Sequence, residues 1–531
     1  MTRVLTTAGS STRHWRATSA SSPSRSVRAR IASSWSCRPV TSACPTARPS
    51  RRLNPKRTLT VSHPQKASRD SIVALSTPSG AGGVAIIRMS GPDAIVRAAA
   101  VVGRKSPPRD RRACVASIKD PASGEIIDRA LVLAFRAPHS FTGENVVEIQ
   151  CHGGPYIVQR ILKACLECGF RAADPGEFTR RAVLNGRMDL TEAEGLRELI
   201  QAQTEQEWRA GKQLHDGRLK NATIQLRQKL IESLAWLEAR IDFPDEGDTA
   251  GVSLTHVKSR VETVREALGR LASTYASGRV SADGLRVCLL GAPNAGKSSL
   301  MNSLLGHERA IVSDIPGTTR DYIEEKCLVN GRLLRLIDMA GIRETRDLVE
   351  QLGVQRAKDL ARQSDILLLV TTSETADNDL ASIGAWVRSE GLRDPVVVIT
   401  KIDLAGTSLT ASLTAARSAT TTGRVGLGIS NVTGEGLDAL RARLATEVDQ
   451  RIGSLREQDA WLTNARHLAC VERARAHLDS VAGRIGRSAG DEDEILAFEL
   501  HQATRELGLL IGEVYADDVL DVVFSSFCIG K

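Results

Sequence analysis

Residues 291–298 read Gly291-Ala292-Pro293-Asn294-Ala295-Gly296-Lys297-Ser298; they follow an apolar run at 287–290 and open a helix-like stretch at 299–305. A strand, a glycine-rich loop and a helix in that order make the pattern a phosphate-binding P-loop. Glycine lets the backbone come close and adopt torsions that a side chain would block, so N–H groups around Gly291, Asn294 and Gly296 can wrap a diphosphate. Lys297 then reaches the β- and γ-phosphates. Ser298 offers a hydroxyl to Mg²⁺, which prefers hard oxygen ligands shared with the nucleotide. The stretch therefore predicts an α/β nucleotide-binding fold and a nucleoside triphosphate held by Asn294, Ala295, Gly296, Lys297, Ser298 and Ser299.

Downstream loops refine the ligand. Residues 333–337 form a buried-strand pattern ending in Asp338-Met339-Ala340-Gly341, where Asp338 is placed to hold the metal through its water shell and Gly341 lets the next loop sense a γ-phosphate. Two more apolar runs, 365–370 and 395–399, precede Thr400-Lys401-Ile402-Asp403, which resembles the guanine-specificity loop of GTPases. Asp403 suits the guanine N1–H and exocyclic amine. Ser430-Asn431-Val432 occupies the place where that class supports O6 through backbone N–H groups. Thr400 stands where Asn is usual and keeps a hydroxyl for bracing the loop. Met339 stands where Thr is usual and contributes mainly backbone. Ile342 occupies the position of the Gln that orients the attacking water in Ras-like enzymes, so another residue must do that work. Between P-loop and Asp338 lies Ser313-Asp314-Ile315-Pro316-Gly317-Thr318-Thr319, a switch-like segment rich in oxygen ligands, with Thr319 the candidate second protein ligand to Mg²⁺. A cation beside Asn294 would take the place of an arginine finger.

The flanks carry a broader resemblance. Asp70-Ser71-Ile72-Val73-Ala74, Gly82-Gly83-Val84-Ala85-Ile86-Ile87-Arg88, Ser140-Phe141-Thr142-Gly143-Glu144, His152-Gly153-Gly154-Pro155, Pro175-Gly176-Glu177-Phe178-Thr179 and the closing Phe527-Cys528-Ile529-Gly530-Lys531 resemble the MnmE (TrmE) family of tRNA-modification GTPases, over residues 70–531. The resemblance implies a multidomain chain: an α+β amino-terminal folate-binding domain, an all-α central domain, and an inserted α/β Ras-like P-loop GTPase domain. It also implies GTP with Mg²⁺ and K⁺, a homodimer, tRNA as substrate, and a partner of the MnmG (GidA) type that carries the FAD. The implied product is a carboxymethylaminomethyl- or taurinomethyl-type group at carbon 5 of wobble uridine. By position, Asn294, Ser313, Ile315 (through its carbonyl) and Thr318 match the family's K⁺ ligands, and Ser298 and Thr319 its Mg²⁺ ligands. Glu350, which alone reads as an exposed switch-region carboxylate, matches the group that positions the hydrolytic water. Arg88, Glu148, Arg187 and Lys531 match the residues that hold a tetrahydrofolate derivative (5,10-methylene or 5-formyl). Arg187 departs from the Lys common there, keeping the charge but presenting a planar fork.

Composition divides the chain. Residues 1–69 hold 14 Lys or Arg and no Asp or Glu, with many Ser, Thr, Ala and Pro, the make-up of a transit peptide. The formal charge of +9 then reverses: 57 basic against 62 acidic residues remain, about −5 over 70–531. Global charge gives no argument for RNA binding, so any such contact rests on local patches such as Arg466, Arg473 and Arg475, whose plain reading is a solvated helix face. The leader favours the mitochondrial matrix, with the chloroplast as alternative. No apolar run reaches the roughly 18 residues of a membrane span, so no membrane partner is expected. Cys165 and Cys168 form a lone C-x-x-C that reads as packing rather than zinc. Cys528 is either a reactive thiol near the folate or a positioning residue. Lys531 behind it ill suits a prenylation box.

Punctuation sets the organisation. The expected segments are 1–69 leader, 70–187 folate-binding and dimerisation domain, 188–283 first helical part, 284–450 GTPase domain, and 451–531 second helical part. Short apolar runs at 84–87, 131–135 and 146–149 predict strands; proline-free 176–243, with Leu226, Leu230, Leu234 and Leu237 at helical spacing, predicts long helices. Two other readings stand beside tRNA modification: an Era-like GTPase in organellar ribosome assembly, and a GTP-controlled scaffold. The first calls for an RNA-binding module such as a KH domain, which the sequence does not show. The second leaves the flanking matches unexplained.

Overall fold

The computed structural model describes residues 70–104, 107–242, 254–306, 323–338, 358–404, 426–453, 455–456, 459–485, 492–513 and 517–530. The leader, Ser313 to Thr319, Met339 to Gly341, Glu350 and Lys531 lie outside the described residues.

Apolar residues alternating with polar ones at the amino-terminal end build β1 (Ile72–Leu75), β2 (Gly82–Ser90), α1 (Ala94–Val101), β3 (Cys114–Lys119), β4 (Ile126–Phe135), β5 (Val146–Gly153), α2 (Pro155–Glu167), β6 (Arg171–Ala172) and α3 (Glu177–Leu184). The sheet order is β3-β4-β5-β2-β1-β6, with β2 antiparallel to both β1 and β5. Every second residue of β2 from Ala85 is buried, so Ile87 and Met89 meet Ile149 and Ile161 in one core. Cys165 is fully buried there, its sulfur 3.9 Å from that of Met89. The C-x-x-C is therefore packing; among the described residues no cluster of His, Cys, Asp or Glu has the make-up of a metal site.

The chain then turns helical through α4 (Leu190–Gln201), α5 (Glu205–His215), α6 (Arg218–Asp242), α7 (Leu254–Ser273) and α8 (Tyr275–Asp283). Asp189 with Glu192, and Thr204 with Glu207, form capping boxes that satisfy the first N–H groups of α4 and α5. None of these helices, nor any other among the described residues, is long and apolar enough to cross a membrane.

At Gly284 the period changes from helix to strand. The GTPase region comprises β7 (Leu285–Leu290), α9 (Lys297–Leu305), β8 (Ile323–Val329), β9 (Arg332–Asp338), β10 (Ile366–Thr372), α10 (Ala376–Ser389), β11 (Val396–Thr400), β12 (Leu427–Gly428) and α11 (Leu437–Ile452). Its sheet runs β12-β11-β10-β7-β9-β8, parallel except for β8. Strands β7, β10 and β11 are covered on both faces, which is why they read as continuous apolar runs.

The helical unit resumes with α12 (Ala465–Arg484), α13 (Glu492–Ile511) and α14 (Asp517–Ser525). Leu230, Leu268, Val471, Leu500 and Leu507 share one core, so helices from both sides of the GTPase region form a single bundle. The two connections to that region touch. Leu462 donates its N–H to Thr274 Oγ1 (3.1 Å), and a Cβ on Gly278 would lie 2.0 Å from the Leu462 carbonyl oxygen. Such closeness is what lets one domain be inserted into another. The protein is thus multidomain: an α+β amino-terminal domain, an all-α domain and an inserted α/β Ras-like GTPase domain.

Candidate functional site

The phosphate loop is shaped by backbone that few residues accept. Gly291 has φ +152° and lies so close to β10 that a Cβ would sit 2.1 Å from the Val370 carbonyl oxygen. Gly296, at φ +92°, caps α9, and Asn294 adopts φ +64°, a region open to Asn at modest cost. Lys297 begins α9 and is buried; its Nζ donates to the carbonyls of Gly291 (2.8 Å) and Ala292 (2.9 Å), spanning the loop that a phosphate would fill. Burial lowers the Lys297 pKa, opposed by Asp338 and Asp379 nearby. An arriving polyphosphate would favour the cation again. Ser298 Oγ donates to Asp338 Oδ2 at 3.1 Å, so the two proposed metal groups already meet. Both oxygens are of the hard type that Mg²⁺ prefers, so these two residues would hold it. Ala295 is buried and Ser299 exposed on the first turn of α9.

The base loops are tied to this frame. Thr400, at the end of β11, is fully buried and donates to the Ala295 (2.7 Å) and Thr371 (3.1 Å) carbonyls. The expected brace is present. Lys401 takes φ +58°, and Asp403 is exposed in a short 3₁₀ turn over Ile402–Leu404. Ile402 donates its N–H to the Ile429 carbonyl (3.3 Å), bringing the 400–404 and 430–432 loops together. Ser430 Oγ accepts the N–H groups of Val432 (3.3 Å) and Thr433 (3.1 Å), closing the turn that carries Asn431.

A second constellation lies in the amino-terminal domain. Arg88 and Glu148 are directly opposite on β2 and β5, and Arg88 Nε and Nη2 both contact Glu148 Oε1 at 2.9 Å. The guanidinium also lies over the rings of Phe141 (5.4 Å) and Phe178 (5.9 Å). Arg187 Nε donates to the Ser140 carbonyl (3.1 Å), so Arg88 and Arg187 flank the same loop. The end of the chain docks on the same domain: Gly176 donates its N–H to the Cys528 carbonyl (3.3 Å), and Ser76 Oγ to the Gly530 carbonyl (2.8 Å). Cys528 itself is exposed. Arg88, Arg187 and Glu148 are a polar set whose chemistry fits a folate, the carboxylate for the donors of a pterin edge and the cations for an anionic glutamate, while fully buried Phe178 backs Arg88.

Several supporting residues escaped the sequence reading. Arg181, nearly buried on α3, donates to Asp70 Oδ1 (2.8 Å), Glu177 Oε1 (2.8 Å) and Glu144 (3.2 Å), locking the 140–145 loop to β1. Phe527 packs with Phe524 and Val183 and carries Arg197 over its ring. Arg466 is not on a solvated helix face. It bonds Glu194 (2.8 Å) and the Leu509 and Leu510 carbonyls at the end of α13, while Arg473 pairs with Glu506. Arg466 thus ties α12 to α4 and α13, whereas Arg473 and Arg475 are exposed on α12, as the solvated-face reading expects.

Residues 71–187 match the family described as GTP-binding protein TrmE N-terminus, and 190–528 match the MnmE helical domain. The tRNA modification GTPase MnmE of Moorella thermoacetica is 40% identical, covering 87% of this chain and 99% of its own length. That of Geobacillus kaustophilus is 38% identical over the same shares. Among solved structures, the G domain of the T. maritima FeoB iron transporter is 26% identical and covers 31% of this chain and 98% of that one, at TM-score 0.23. With a P-loop built for a nucleotide, both family segments matched and nearly the full length of these relatives covered, the chain belongs to the MnmE (TrmE) family of tRNA modification GTPases.

Proposed function

We propose that this GTPase works with an FAD-carrying partner of the MnmG type to place a carboxymethylaminomethyl- or taurinomethyl-type group on carbon 5 of wobble uridine in organellar tRNAs. The observation that supports the reading most is the docking of the chain's end, residues 527–530, on Gly176 and Ser76 of the domain that carries Arg88, Glu148 and Arg187, with the GTPase region inserted between helices of one bundle. In this proposal the folate site and the hydrolytic site would be linked through that bundle.

In this reading Lys297 leaves its two carbonyls to neutralise β- and γ-phosphate charge, Ser298 and Thr319 hold Mg²⁺, and Glu350 positions the water that Ile342 cannot. Asn294, Ser313, Ile315 and Thr318 form the K⁺ site. Its positive charge would stabilise the leaving oxygen where two GTPase domains of a homodimer meet. Glu148 would accept from the pterin edge while Arg88, Arg187 and Lys531 hold the anionic tail; the bound folate supplies a one-carbon unit. Segments 70–187, 188–283, 284–450 and 451–531 are the proposed working domains, and 1–69 the address to the mitochondrial matrix.

Reconstitution tests the whole reading. The chain, an MnmG-type flavoprotein, undermodified tRNA, GTP, Mg²⁺, a methylene-tetrahydrofolate and glycine or taurine are combined in KCl or in NaCl at equal ionic strength. Expected are K⁺-stimulated GTP turnover and a mass increment on the wobble uridine. Equal turnover in the two salts would remove the K⁺ site, and absence of the increment despite turnover would return the ribosome-assembly and scaffold readings.

A further inference from the structure

We propose that this chain selects guanine without a side-chain contact to N7 of the base, because the residue at the head of its base loop is spent on holding the phosphate loop.

A threonine hydroxyl has a single donor, whereas a carboxamide has two. Thr400 Oγ1 lies 2.7 Å from the Ala295 carbonyl oxygen and 3.1 Å from that of Thr371, and carbonyls only accept. The one proton is shared between backbone acceptors in the interior. The side chain is also sealed in, since Thr400 has 0% exposure. Gly296 closes it off from above: a Cβ on that glycine would be 3.3 Å from Thr400 Oγ1 and 3.5 Å from both its Cβ and Cγ2.

Guanine presents N7 and O6 as acceptors on one edge. N7 therefore needs a donor, and Thr400 has none left to offer. Asp403, an acceptor when ionised, suits the N1–H and amine on the opposite edge. The turn at 430–432, drawn to the base loop by the Ile402 N–H to Ile429 carbonyl bond, would offer backbone to O6. Selection consequently rests on the Watson–Crick edge and O6, and guanine nucleotides altered at N7 belong to the ligand class this chain accepts. Thr400 acts instead as a positioning residue, joining base loop to P-loop through Ala295.

The test uses the full chain with Mg²⁺ and compares GTP with 7-deaza-GTP, in which N7 is replaced by C–H, by calorimetric titration. The two affinities are expected to agree within about threefold, because no hydrogen bond to N7 is lost. A larger loss for 7-deaza-GTP, with GTP still bound, would overturn the inference. Failure to bind GTP itself would count against the GTPase reading instead. Thr400→Val supplies a second readout: removing the brace should weaken both nucleotides by the same factor. A loss confined to GTP would show that the hydroxyl reads N7 and would equally overturn the proposal.

Discussion

Gly530→Ala probes whether the end of the chain belongs to the proposed folate site. Gly530 has φ +94°, where an alanine is strained by roughly 1–3 kcal/mol. The added Cβ would lie 1.9 Å from the Leu75 carbonyl oxygen and 2.8 Å from its carbon, distances no real contact reaches. Leu75 cannot give way cheaply, because it is the last residue of β1 and is paired in register with Ile87 of β2. The tail must move, and the Ser76 Oγ to Gly530 carbonyl bond (2.8 Å) goes with it, a further loss of about 1 kcal/mol. Together these amount to about 2–4 kcal/mol against docking, a shift of roughly 30- to 1,000-fold in the docked population. Hydrogen exchange reads this directly at the Gly176 N–H, which donates to the Cys528 carbonyl and should lose protection. Affinity for 5-formyl-tetrahydrofolate should fall in parallel while GTP affinity holds. Unchanged exchange at Gly176 would refute the packing argument. Lost protection with unchanged folate affinity would detach the tail from the pocket.

Two further predictions concern the hydrolytic and helical regions. Glu350→Ala should abolish most GTP turnover while leaving GTP affinity within about threefold, since water positioning is used only in the reaction; parallel loss of binding, measured by titration, would make Glu350 structural. Glu198→Gln should flatten the pH dependence of stability: burial, then Glu194 and Asp283, against Arg197 and Thr463, push the Glu198 carboxyl up from 4.5 to about 8. A raised carboxyl pKa means full stability below pH 4.5 and a loss that grows as pH rises through about 8, at most about 5 kcal/mol. Calorimetric melting at pH 5 and pH 9 should show the variant gaining on the parent only at the higher value.

Strands and the P-loop were legible because their signals are local. The run at 287–290 is extended by two residues in β7 (Leu285–Leu290), the one at 395–399 shifts by one in β11 (Val396–Thr400), and the predicted brace at Thr400 is present. What stayed hidden depends on partners distant in sequence. Arg181 meets Asp70 across 111 residues and Arg466 meets Glu194 across 272, so nothing near either arginine marks it as interior. Gly530 is similar, because its need for glycine comes from Leu75, at the far end of the chain. Arg466 also shows why charge alone misleads: a helix-spaced arginine reads as solvated until its carboxylate and the open carbonyls of another helix terminus are brought to it.

The position of Glu198 bears on how the GTPase region is coupled to the proposed folate site. Its Oε1 accepts from Thr463, in the segment where the chain returns from the GTPase region, and its Oε2 is buried without a partner. One turn earlier on α4, Glu194 is held anionic: burial opposes its charge, and His467 and Arg466 on α12 more than reverse that. On the other side, α8 is tied to the GTPase sheet through Arg279 with Asp365 and through Asp283 with Arg335 (3.2 Å), and to α5 through Ser281 and the Gln206 carbonyl (3.1 Å). Helix α4 then leads to Ala193, which packs with Phe524 and Phe527 beneath the docked tail. Short polar contacts thus tie α8 to the sheet and to α5, and Glu198 to the returning chain. Packed helices transmit a displacement rather than absorb it. A shift of α8 that strains the Thr463 contact would be felt by a carboxyl with no second partner to compensate, so this junction is the place where neutral and ionised Glu198 should differ most in coupling.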